Sequence, residues 1–377
     1  MLAGLSNVAA YFRYSELLPS QRRIVIYSEG RDSWPHLGPL IKSLLDMYDG
    51  GLAYVCSCSD DPGLTIKNPR LNCFVIGEGL IRTIFFNQLH ADVVLMTMPD
   101  LNKYHIRRSP KTKLYVYLHH SMVSSHMAYR EGAFDSFDVI FCTGPHHEHE
   151  IRTIEITRNK PQKKLIKHGY GRLDTILAER NPDTKTSQRP TVLVAPSWGP
   201  EGMFEKNLDA LLEGLANLEW NSILRPHPQT RKYSANAVKK IRTWCSIRPT
   251  YRTLDEDVTN HESLSVANVM VTDWSGAAFD FALGLERPVL YVEIARKINN
   301  PEYRTFNLEP IEVFSRHHLG HVIQPEELRQ LPVHLENLLL KKNIFTQSIR
   351  SFRDKWVFNI EHSGEVGARA LMQLLEK

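Results

Sequence analysis

The chain has 377 residues, of which 42% are hydrophobic and 23% are charged, so we expect a globular protein of two domains rather than a disordered one. Its 46 basic and 42 acidic residues leave a formal net charge of only +4, which gives no indication of a nucleic-acid-binding protein. The sequence has no signal-peptide pattern and no run of about 18 uncharged apolar residues, so we predict a cytoplasmic protein that is neither secreted nor membrane-spanning.

Residues 1–20 carry apolar and aromatic positions that suit a short amphipathic helix, which either packs on its own domain or contacts a membrane surface. From Arg22 onward, short β-branched runs alternate with longer amphipathic stretches, a pattern typical of βαβ units and a parallel sheet. The predicted strands lie in RRIVIYSEG, LAYVCS, NCFVIG, DVVLMT, KLYVYLHH and DVIFCTG. They predict a first Rossmann-like domain over residues 1–178.

A polar segment with two prolines, ERNPDTKTSQRP, marks the predicted interdomain linker. After it, strand patterns recur in TVLVAPS, NSILRPHP, NVMVTDWSG and RPVLYVE, separated by helical patterns. We therefore predict a second Rossmann-like domain over residues 179–377, with a C-terminal helix that can cross back to pack on the first domain. The predicted fold class is α/β, with two Rossmann-like domains facing a cleft.

The cysteines and a histidine-rich segment give no indication of a metal site. The five cysteines are an odd set, and we expect them to be reduced. Cys56 and Cys58 form a C-x-C pair, but no second Cys/His pair follows at zinc-finger spacing. HHEHE at residues 146–150 lacks the H-E-x-x-H spacing of zinc proteases, and we predict that it forms the solvated first turn of a helix. The sequence also lacks a Walker-type phosphate loop, which argues against an ATPase.

Ligands of open parallel sheets bind beyond the carboxyl ends of the strands. The backbone amides near Ser275 and Gly276 suit a phosphate, because a predicted helix begins there and its first amides lack helical partners. Capping of that helix by Asp273 or Ser275 is an equally compatible interpretation. The residues that directly follow the predicted strands are His119, His120 and Ser121, then Ser197, Trp198 and Gly199, then His227 and Pro228, and then Asp273, Trp274, Ser275 and Gly276.

The strand-end histidines are candidates for proton transfer or phosphate binding. His227 and the nearby Arg225 suit the neutralisation of a pyrophosphate leaving group without a metal, although a structural histidine is the alternative. His119 and His120 should point to opposite faces of their strand, so only one of them can face the cleft. That histidine suits the role of general base for an acceptor hydroxyl, and a buried histidine bonded to backbone is the alternative.

Five motifs, taken in order, resemble those of the CDP-glycerol glycerophosphotransferase family of teichoic acid synthesis. They are LHHSM, HGYGRLD, VLVAPSWGPEGM, ILRPHP and VTDWSGAAFDFALGLERPVLYVE, and the resemblance extends from Lys113 to the C-terminus. It implies a GT-B arrangement in which the second domain binds a CDP-activated donor and the first receives the acceptor. It also implies that no metal or other cofactor takes part.

The resemblance assigns roles to individual residues. His120 corresponds to the catalytic base, and His227 corresponds to the histidine near the donor phosphates. Donor-binding roles fall on Ser197, Trp198, Arg225, Asp273, Trp274, Ser275, Gly276, Asp280 and Gly364, and acceptor-side or interdomain roles fall on His119, Ser121, Gly169, Arg172 and Asp174.

The sequence departs from the family pattern at four positions. Ser121 replaces a glycine, Gly171 a proline, Trp274 a tyrosine and Gly276 a serine. The last change removes one hydroxyl that could donate to phosphate, although a glycine amide at a helix start can still serve. The departures leave the identity of the donor open.

The function implied by the resemblance is transfer of glycerol phosphate or ribitol phosphate from a CDP-alditol to a polymer or lipid-linked acceptor. Residues 1–20 leave open a peripheral location at the inner face of the cell membrane. Two alternatives remain open. One is a GT-B glycosyltransferase that uses a nucleotide sugar in capsule or lipopolysaccharide synthesis. The other is a non-catalytic nucleotide-binding assembly protein, for which Ser121 and Gly276 are the support. A UDP-sugar 2-epimerase is disfavoured because that resemblance would not explain the Trp-Ser-Gly loop, and no nucleic-acid partner is expected.

Overall fold

The computed structural model describes residues 2–180, 189–257 and 262–376, with side chains from residue 6 onward. Residues 181–188 of the predicted linker lie outside the described residues. The chain divides into two compact units. Unit 1 comprises Met1–Thr175, Asn299–Leu308 and Trp356–Lys377, and unit 2 comprises Ile176–Ile298 and Glu309–Lys355.

Helices and strands alternate along both halves of the described chain. The first half forms α1 (Leu2–Ser15), β1 (Ile24–Ser28), α2 (Trp34–Met47), β2 (Leu52–Cys56), β3 (Leu71–Val75), α3 (Leu80–Gln88), β4 (Val93–Met96), β5 (Leu114–Leu118), β6 (Val139–Cys142), α4 (Pro145–Thr157), β7 (Lys164–Lys167) and α5 (Gly171–Glu179). The second half forms β8 (Thr191–Val194), α6 (Met203–Lys206), α7 (Leu208–Ala216), β9 (Asn221–Leu224), α8 (Pro228–Tyr233), α9 (Ala235–Ile247), β10 (Arg252–Leu254), α10 (Glu262–Val266), β11 (Val269–Thr272), α11 (Ala277–Leu285), β12 (Val289–Val292), α12 (Ile311–Phe314), α13 (Arg316–Leu319), β13 (Gly320–Ile323), α14 (Leu331–Leu340), α15 (Lys342–Trp356) and α16 (Ser363–Leu375). Short 3-10 helices occur at Pro19–Gln21, Arg31–Ser33, Pro62–Thr65, Pro301–Phe306 and Pro325–Gln330.

Unit 1 is built on a seven-stranded parallel sheet in the order β3-β2-β1-β4-β5-β6-β7. Every residue of β1, β2, β4 and β6 is buried, as expected for strands that helices cover on both faces. One face packs against Tyr14 of α1 and Phe85 of α3. The other face packs against Leu40 of α2 and Leu371 of α16. The strand order reverses between β1 and β4, and ligands of such sheets bind at that point.

Unit 2 repeats the arrangement with a six-stranded parallel sheet in the order β10-β9-β8-β11-β12-β13. Its core joins buried strand residues such as Val194 and Val271 to Leu211 of α7 and Leu331 of α14. The strand order reverses between β8 and β11, so the candidate ligand edge of this unit is formed by the ends of those two strands.

The strands that the sequence predicts from buried apolar runs are present, and the α/β class with two parallel sheets is confirmed. The sequence does not predict three strands, namely β7, β10 and β13. Each lies at an edge of its sheet and contains exposed or half-buried residues. Strands of this kind lack the continuous apolar run on which the sequence prediction depends.

The C-terminal helix α16 belongs to unit 1 and packs on α2. Two glycines permit this close approach. A Cβ at Gly364 would lie 2.6 Å from the carbonyl oxygen of Pro39, and a Cβ at Gly367 would lie 2.6 Å from a methyl carbon of Leu40. A larger residue at either position would push α16 away from α2.

The prediction of a solvated first turn at residues 146–150 is wrong. Helix α4 begins at Pro145, but His146, His147 and Glu150 are buried. Their side chains bond to the backbone of a neighbouring loop instead of to water. The expectation of free cysteines holds, because all five are unpaired.

Candidate active site

The ends of β8 and β11 are joined at the point where the strand order of unit 2 reverses. The two strands are parallel neighbours, and the amide of Ser197 donates to Oδ1 of Asp273 at 2.7 Å. Asp273 is 1% exposed. Burial raises the pKa of its carboxyl group, and the hydrogen bonds from Ser197 act in the opposite direction. This contact fixes the start of the loop that leads into α11.

Helix α11 begins directly after this loop, with Gly276 at its cap position. The hydroxyl of Ser275 accepts from the amide of Ala277 at 3.3 Å, and the carbonyl of Ser275 accepts from the amide of Ala278 at 3.2 Å. Ser275 therefore accepts from two amides of the first turn, whereas the cap position itself is occupied by Gly276, which makes no side-chain cap hydrogen bond. Asp280 is buried in the first turn. The positive end of the helix dipole still favours an anion at this position.

His227 follows β9 and caps the short helix α8. Its Nδ1 accepts from the amide of Gln229 at 3.1 Å, so the neutral ring carries its proton on Nε2 and can donate from there. Burial, together with the charges of Lys297 and Arg231, lowers the pKa of His227 to about 4. At neutral pH this residue can therefore offer a hydrogen bond but no positive charge.

An aromatic and cationic cluster surrounds His227. The ring of Trp198 stacks on His227 and on Tyr233, with centroid separations of 6.0 and 6.2 Å. The Nζ atom of Lys297 lies 4.4 Å from the centroid of Trp198. Burial lowers the pKa of Lys297, while the negative charge of Asp273 raises it. The cluster thus combines a neutral donor with an ammonium group.

Two of the predicted donor-binding residues are engaged with other protein groups. The Nε atom of the buried Arg225 lies 3.1 Å from Oδ2 of Asp255. The indole N–H of Trp274 donates to the carbonyl oxygen of Ile294 at 3.0 Å, and its ring lies 3.6 Å from the guanidinium carbon of Arg316. Arg225 and Trp274 therefore support the loops of the site through these contacts.

In unit 1, His119 and His120 occupy different environments at the end of β5. His119 is buried, and its two ring nitrogens lie 3.1 Å from the carbonyl oxygen of Phe141 and 3.1 Å from the hydroxyl of Ser125. His120 is half-buried, and its Nδ1 lies 3.2 Å from the hydroxyl of Tyr117. Of the two, His120 is the one that remains accessible for chemistry.

Aromatic rings surround His120. The ring centroids of His36, Tyr117 and Tyr129 lie 5.9, 6.3 and 6.2 Å from its own. Burial lowers the pKa of His120 to about 4. The imidazole is therefore neutral at pH 7 and able to accept a proton.

Two residues of the HGYGRLD segment attach it to the chain that precedes α16. Gly169 has φ +107°, and a Cβ there would lie 2.5 Å from the carbonyl oxygen of Phe358, so both the backbone and the space require glycine. The carboxylate of Asp174 accepts from the amides of Glu361 and Ser363 at 2.7 and 2.9 Å. Gly169 and Asp174 thus hold the entry of α16.

The remaining predicted residues are placed as follows. The hydroxyl of Ser121 accepts from the amide of Val123 at 3.3 Å. Arg172 supplies a positive charge that, after burial, lowers the pKa of His36. Gly364 lies on α16 in unit 1, whereas the other predicted donor-binding residues lie in unit 2.

Three residues of these sites are not predicted from the sequence, namely His36, Lys297 and Arg316. His36 stacks on Tyr170 at 5.6 Å beside His120. It lies in α2, the helix that follows β1, and the strand order of the sheet reverses at β1. The expectation that ligands bind beyond the ends of such strands therefore points to this part of the chain. Lys297 belongs to the basic stretch at residues 296–300, for which the sequence suggests docking of an anionic membrane or a phosphate-rich substrate but no individual site residue. Arg316 has no local signal, because only the folded chain brings it to Trp274.

Neither a metal cluster nor a membrane span occurs in the described part of the chain. No group of three or more His, Cys, Asp or Glu side chains there could hold a metal ion. Among residues 2–180, 189–257 and 262–376, no helix is both long enough and apolar enough to cross a bilayer.

Several solved structures have a fold similar to that of this chain. They include the Methanocaldococcus jannaschii UDP-GlcNAc 2-epimerase in complex with UDP-GlcNAc and UDP, with TM-score 0.56, 15% identity and coverage of 94% of this chain and 99% of that one. The S. aureus MnaA–UDP co-structure has TM-score 0.58, 12% identity and coverage of 93% and 95%. Anabaena HepE in complex with UDP and glucose has TM-score 0.54, 11% identity and coverage of 93% and 99%. No curated protein sequence matches the chain significantly.

At such low identities the likeness shows the fold, and it confirms the expected class, an α/β protein with two Rossmann-like domains of the GT-B type. A match to a family model shows which family with this fold the chain belongs to. The model described as CDP-glycerol:poly(glycerophosphate) glycerophosphotransferase matches residues 90–359. The chain therefore belongs to this transferase family, as its motifs predict.

Proposed function

We propose that this protein transfers glycerol phosphate or ribitol phosphate from a CDP-activated donor to a hydroxyl of a cell-surface polymer or lipid-linked precursor, and releases CMP. The observation that carries the proposal is the family match over residues 90–359, which includes His120 and His227, the two histidines to which the motifs assign roles in catalysis. The chemistry of each unit supports it.

Unit 2 offers suitable groups for a nucleoside diphosphate. His227 has an Nε2–H available as a donor, Lys297 supplies an ammonium group beside it, and α11 presents its positive end at Ser275. Charged and neutral donors together stabilise the negative charge that develops on a leaving CMP. In this proposal they neutralise the leaving group, and neither a metal nor another cofactor takes part.

Unit 1 supplies the base. The acceptor hydroxyl oxygen attacks the β-phosphorus of the donor, the bond from that phosphorus to the bridging oxygen breaks, and CMP leaves with the bonding electrons. His120 takes the hydroxyl proton. Its pKa of about 4 keeps the ring unprotonated at pH 7. Because nearby negative charge raises the pKa of an imidazole, the arriving phosphate makes His120 a stronger base.

The test is incubation of the purified chain with CDP-glycerol, CDP-ribitol, CMP-linked and UDP-linked donors, with and without a chelator, followed by identification of the released nucleotide. We expect CMP release from a CDP-alditol that persists in the chelator. Release only from a nucleotide sugar would replace the proposal with the glycosyltransferase alternative. A chain that binds donors without turnover would be an assembly protein, and a chain that binds none would contradict all three.

We also propose that the protein meets its acceptor as a peripheral protein at the membrane surface. Phe12 and Leu18 near the N-terminus are 59% and 63% exposed, and Arg13 lies beside Phe12. Apolar side chains with an adjacent cation suit the interface of an anionic membrane. Sedimentation with anionic vesicles tests this, and equal sedimentation of the chain and of its Phe12→Ser variant would contradict the role of α1.

A further inference from the structure

The buried histidines of α4 contact the loop that follows the proposed base. Residues 121–126 directly follow His120 in the chain and form neither helix nor strand. Their backbone groups therefore need partners from elsewhere. Three side chains of α4 supply these partners.

The contacts are short and specific. The Nε2 atom of His146 lies 2.9 Å from the carbonyl oxygen of Met122, and the Nε2 atom of His147 lies 3.0 Å from the carbonyl oxygen of Val123. The amide of Ser125 donates to Oε2 of Glu150 at 2.5 Å. Three backbone groups of one loop are thus bonded by side chains from the first two turns of one helix.

The protonation state of His147 follows from its neighbours. Its Nε2 can bond to a carbonyl oxygen only by donating a proton. Its Nδ1 lies 3.0 Å from the hydroxyl of Thr143, which can donate to it. The neutral ring therefore satisfies both contacts. It stacks on the ring of His119 at 3.7 Å with an interplanar angle of 18°, so the cluster includes the residue that directly precedes His120 after the end of β5.

The loop is also held from its far side. The carbonyl oxygen of His126 accepts from the side-chain amide of Asn300 at 2.9 Å, and Nδ1 of His126 lies 3.3 Å from Oε1 of Glu150. Asn300 belongs to the segment Asn299–Leu308, which is part of unit 1. Glu150 thus has contacts with both Ser125 and His126, which fixes the end of the loop.

We infer that His146, His147 and Glu150 are positioning residues that hold the loop 121–126 and thereby fix the orientation of His120 for proton transfer. They do not touch the reacting groups themselves. The role of His120 in this inference rests on the proposed function, whereas the hold on the loop does not. A well-oriented base matters because small displacements of a reacting group cost large factors in rate.

The test compares His147→Phe and Glu150→Gln with the control His149→Phe, which changes an exposed histidine of the same helix. His147→Phe keeps a stacked ring without its hydrogen bonds, and Glu150→Gln keeps the size of the side chain with one acceptor oxygen fewer. Hydrogen exchange of the amides of residues 121–128 should accelerate by about tenfold or more in both variants and stay unchanged in the control. If His147→Phe does not fold, Glu150→Gln decides.

Two further measurements separate positioning from general stability. Modification of His120 by diethyl pyrocarbonate should become faster in both variants, because a loosened loop exposes the ring. In CMP release, kcat should fall by about tenfold or more while the KM for the donor stays within about twofold, because His227, Lys297 and the start of α11, which are proposed to hold the donor phosphates, lie in unit 2.

The outcomes are distinguishable from those of the proposed function. Unchanged exchange in both variants would overturn the inference, as would faster exchange with unchanged reactivity of His120. If the wild-type chain turns over no donor, the proposed function fails, and exchange and His120 modification alone decide whether α4 holds the loop. A fall in kcat in the His149→Phe control equal to that in the variants would also refute a specific role.

Discussion

Two adjacent histidines at the end of β5 show how the pleat of a strand assigns different tasks to neighbouring residues. His119 enters the core and bonds there on both sides of its ring, while His120 stays half-buried beside Tyr117. The same side chain is thus a structural residue at one position and a candidate base at the next. Its surroundings, rather than its chemistry, decide between the two.

Substitution of the two histidines should separate stability from activity. We expect His120→Ala to lower kcat for CMP release by about 10²- to 10⁴-fold with little change in donor KM, because it removes the proposed base but few buried contacts. His119→Ala should lower the free energy of unfolding by about 2–4 kcal/mol, because it removes the buried ring contacts with the hydroxyl of Ser125 and the carbonyl oxygen of Phe141, together with the stacking on His147. Urea unfolding and steady-state kinetics of both variants measure this, and equal kinetic effects with equal stability would refute the assignment.

At the scale of elements, the candidate sites depend on how distant segments are attached to the sheets. Asp174 lies at the start of α5, yet its carboxylate binds amides almost two hundred residues later, at the entry of α16. In the same way, Ser197 and Asp273 join the ends of β8 and β11. These residues stand in the family motifs, and in the structure they make contacts that fix loops.

Removal of the Asp174 carboxylate should detach α16 from unit 1. We expect Asp174→Ala to lower the free energy of unfolding by about 2–4 kcal/mol, because the buried amide of Ser363 and the partly buried amide of Glu361 lose their acceptor. Asp49→Ala is the matched control, because the side chain of Asp49 is fully exposed. Hydrogen exchange of α16 and urea unfolding measure the effect. An unchanged exchange rate in α16 would show that the helix is held by its apolar contacts alone.

At the scale of the whole molecule, the many buried neutral histidines couple stability to pH. Burial lowers the pKa of His168 to about 4, and it also lowers the pKa values of His36, His119, His146 and His147. In the unfolded chain these rings titrate near 6.5. Between the two values the unfolded chain binds more protons than the folded one, so acid favours unfolding.

The contribution of these histidines to stability should therefore be almost constant above pH 7 and should fall as the pH drops from 6.5 towards 4. The pKa shift of His168 alone lowers the free energy of unfolding by about 3 kcal/mol once the pH has fallen below the pKa of the folded state. The raised pKa values of the buried Asp174 and Asp273 offset part of this loss. Thermal unfolding at closely spaced pH values measures the effect, and His168→Gln should reduce the slope. A melting temperature that is flat from pH 7 to 5 would refute the prediction.

The sequence by itself determined the α/β class, the central strands and the strand-end positions of the candidate residues. It could do so because buried parallel strands appear in the sequence as continuous apolar runs, and ligand-binding residues directly follow the ends of these strands. The edge strands β7, β10 and β13 could not be predicted from the sequence, because each is partly exposed and lacks such a run. The order of the strands within each sheet also came only from the fold.

Only the tertiary structure decided which side chains are engaged and which remain available. The sequence predicts a solvated turn at HHEHE, whereas the fold buries His146, His147 and Glu150 against an adjoining loop. Lys297 and Arg316 reach the aromatic rings of unit 2 through contacts that no local pattern records. The reason is physical: a pattern of apolar and polar residues specifies which elements form and which face is buried, but the partner of a buried polar group comes from whichever segment the fold brings beside it.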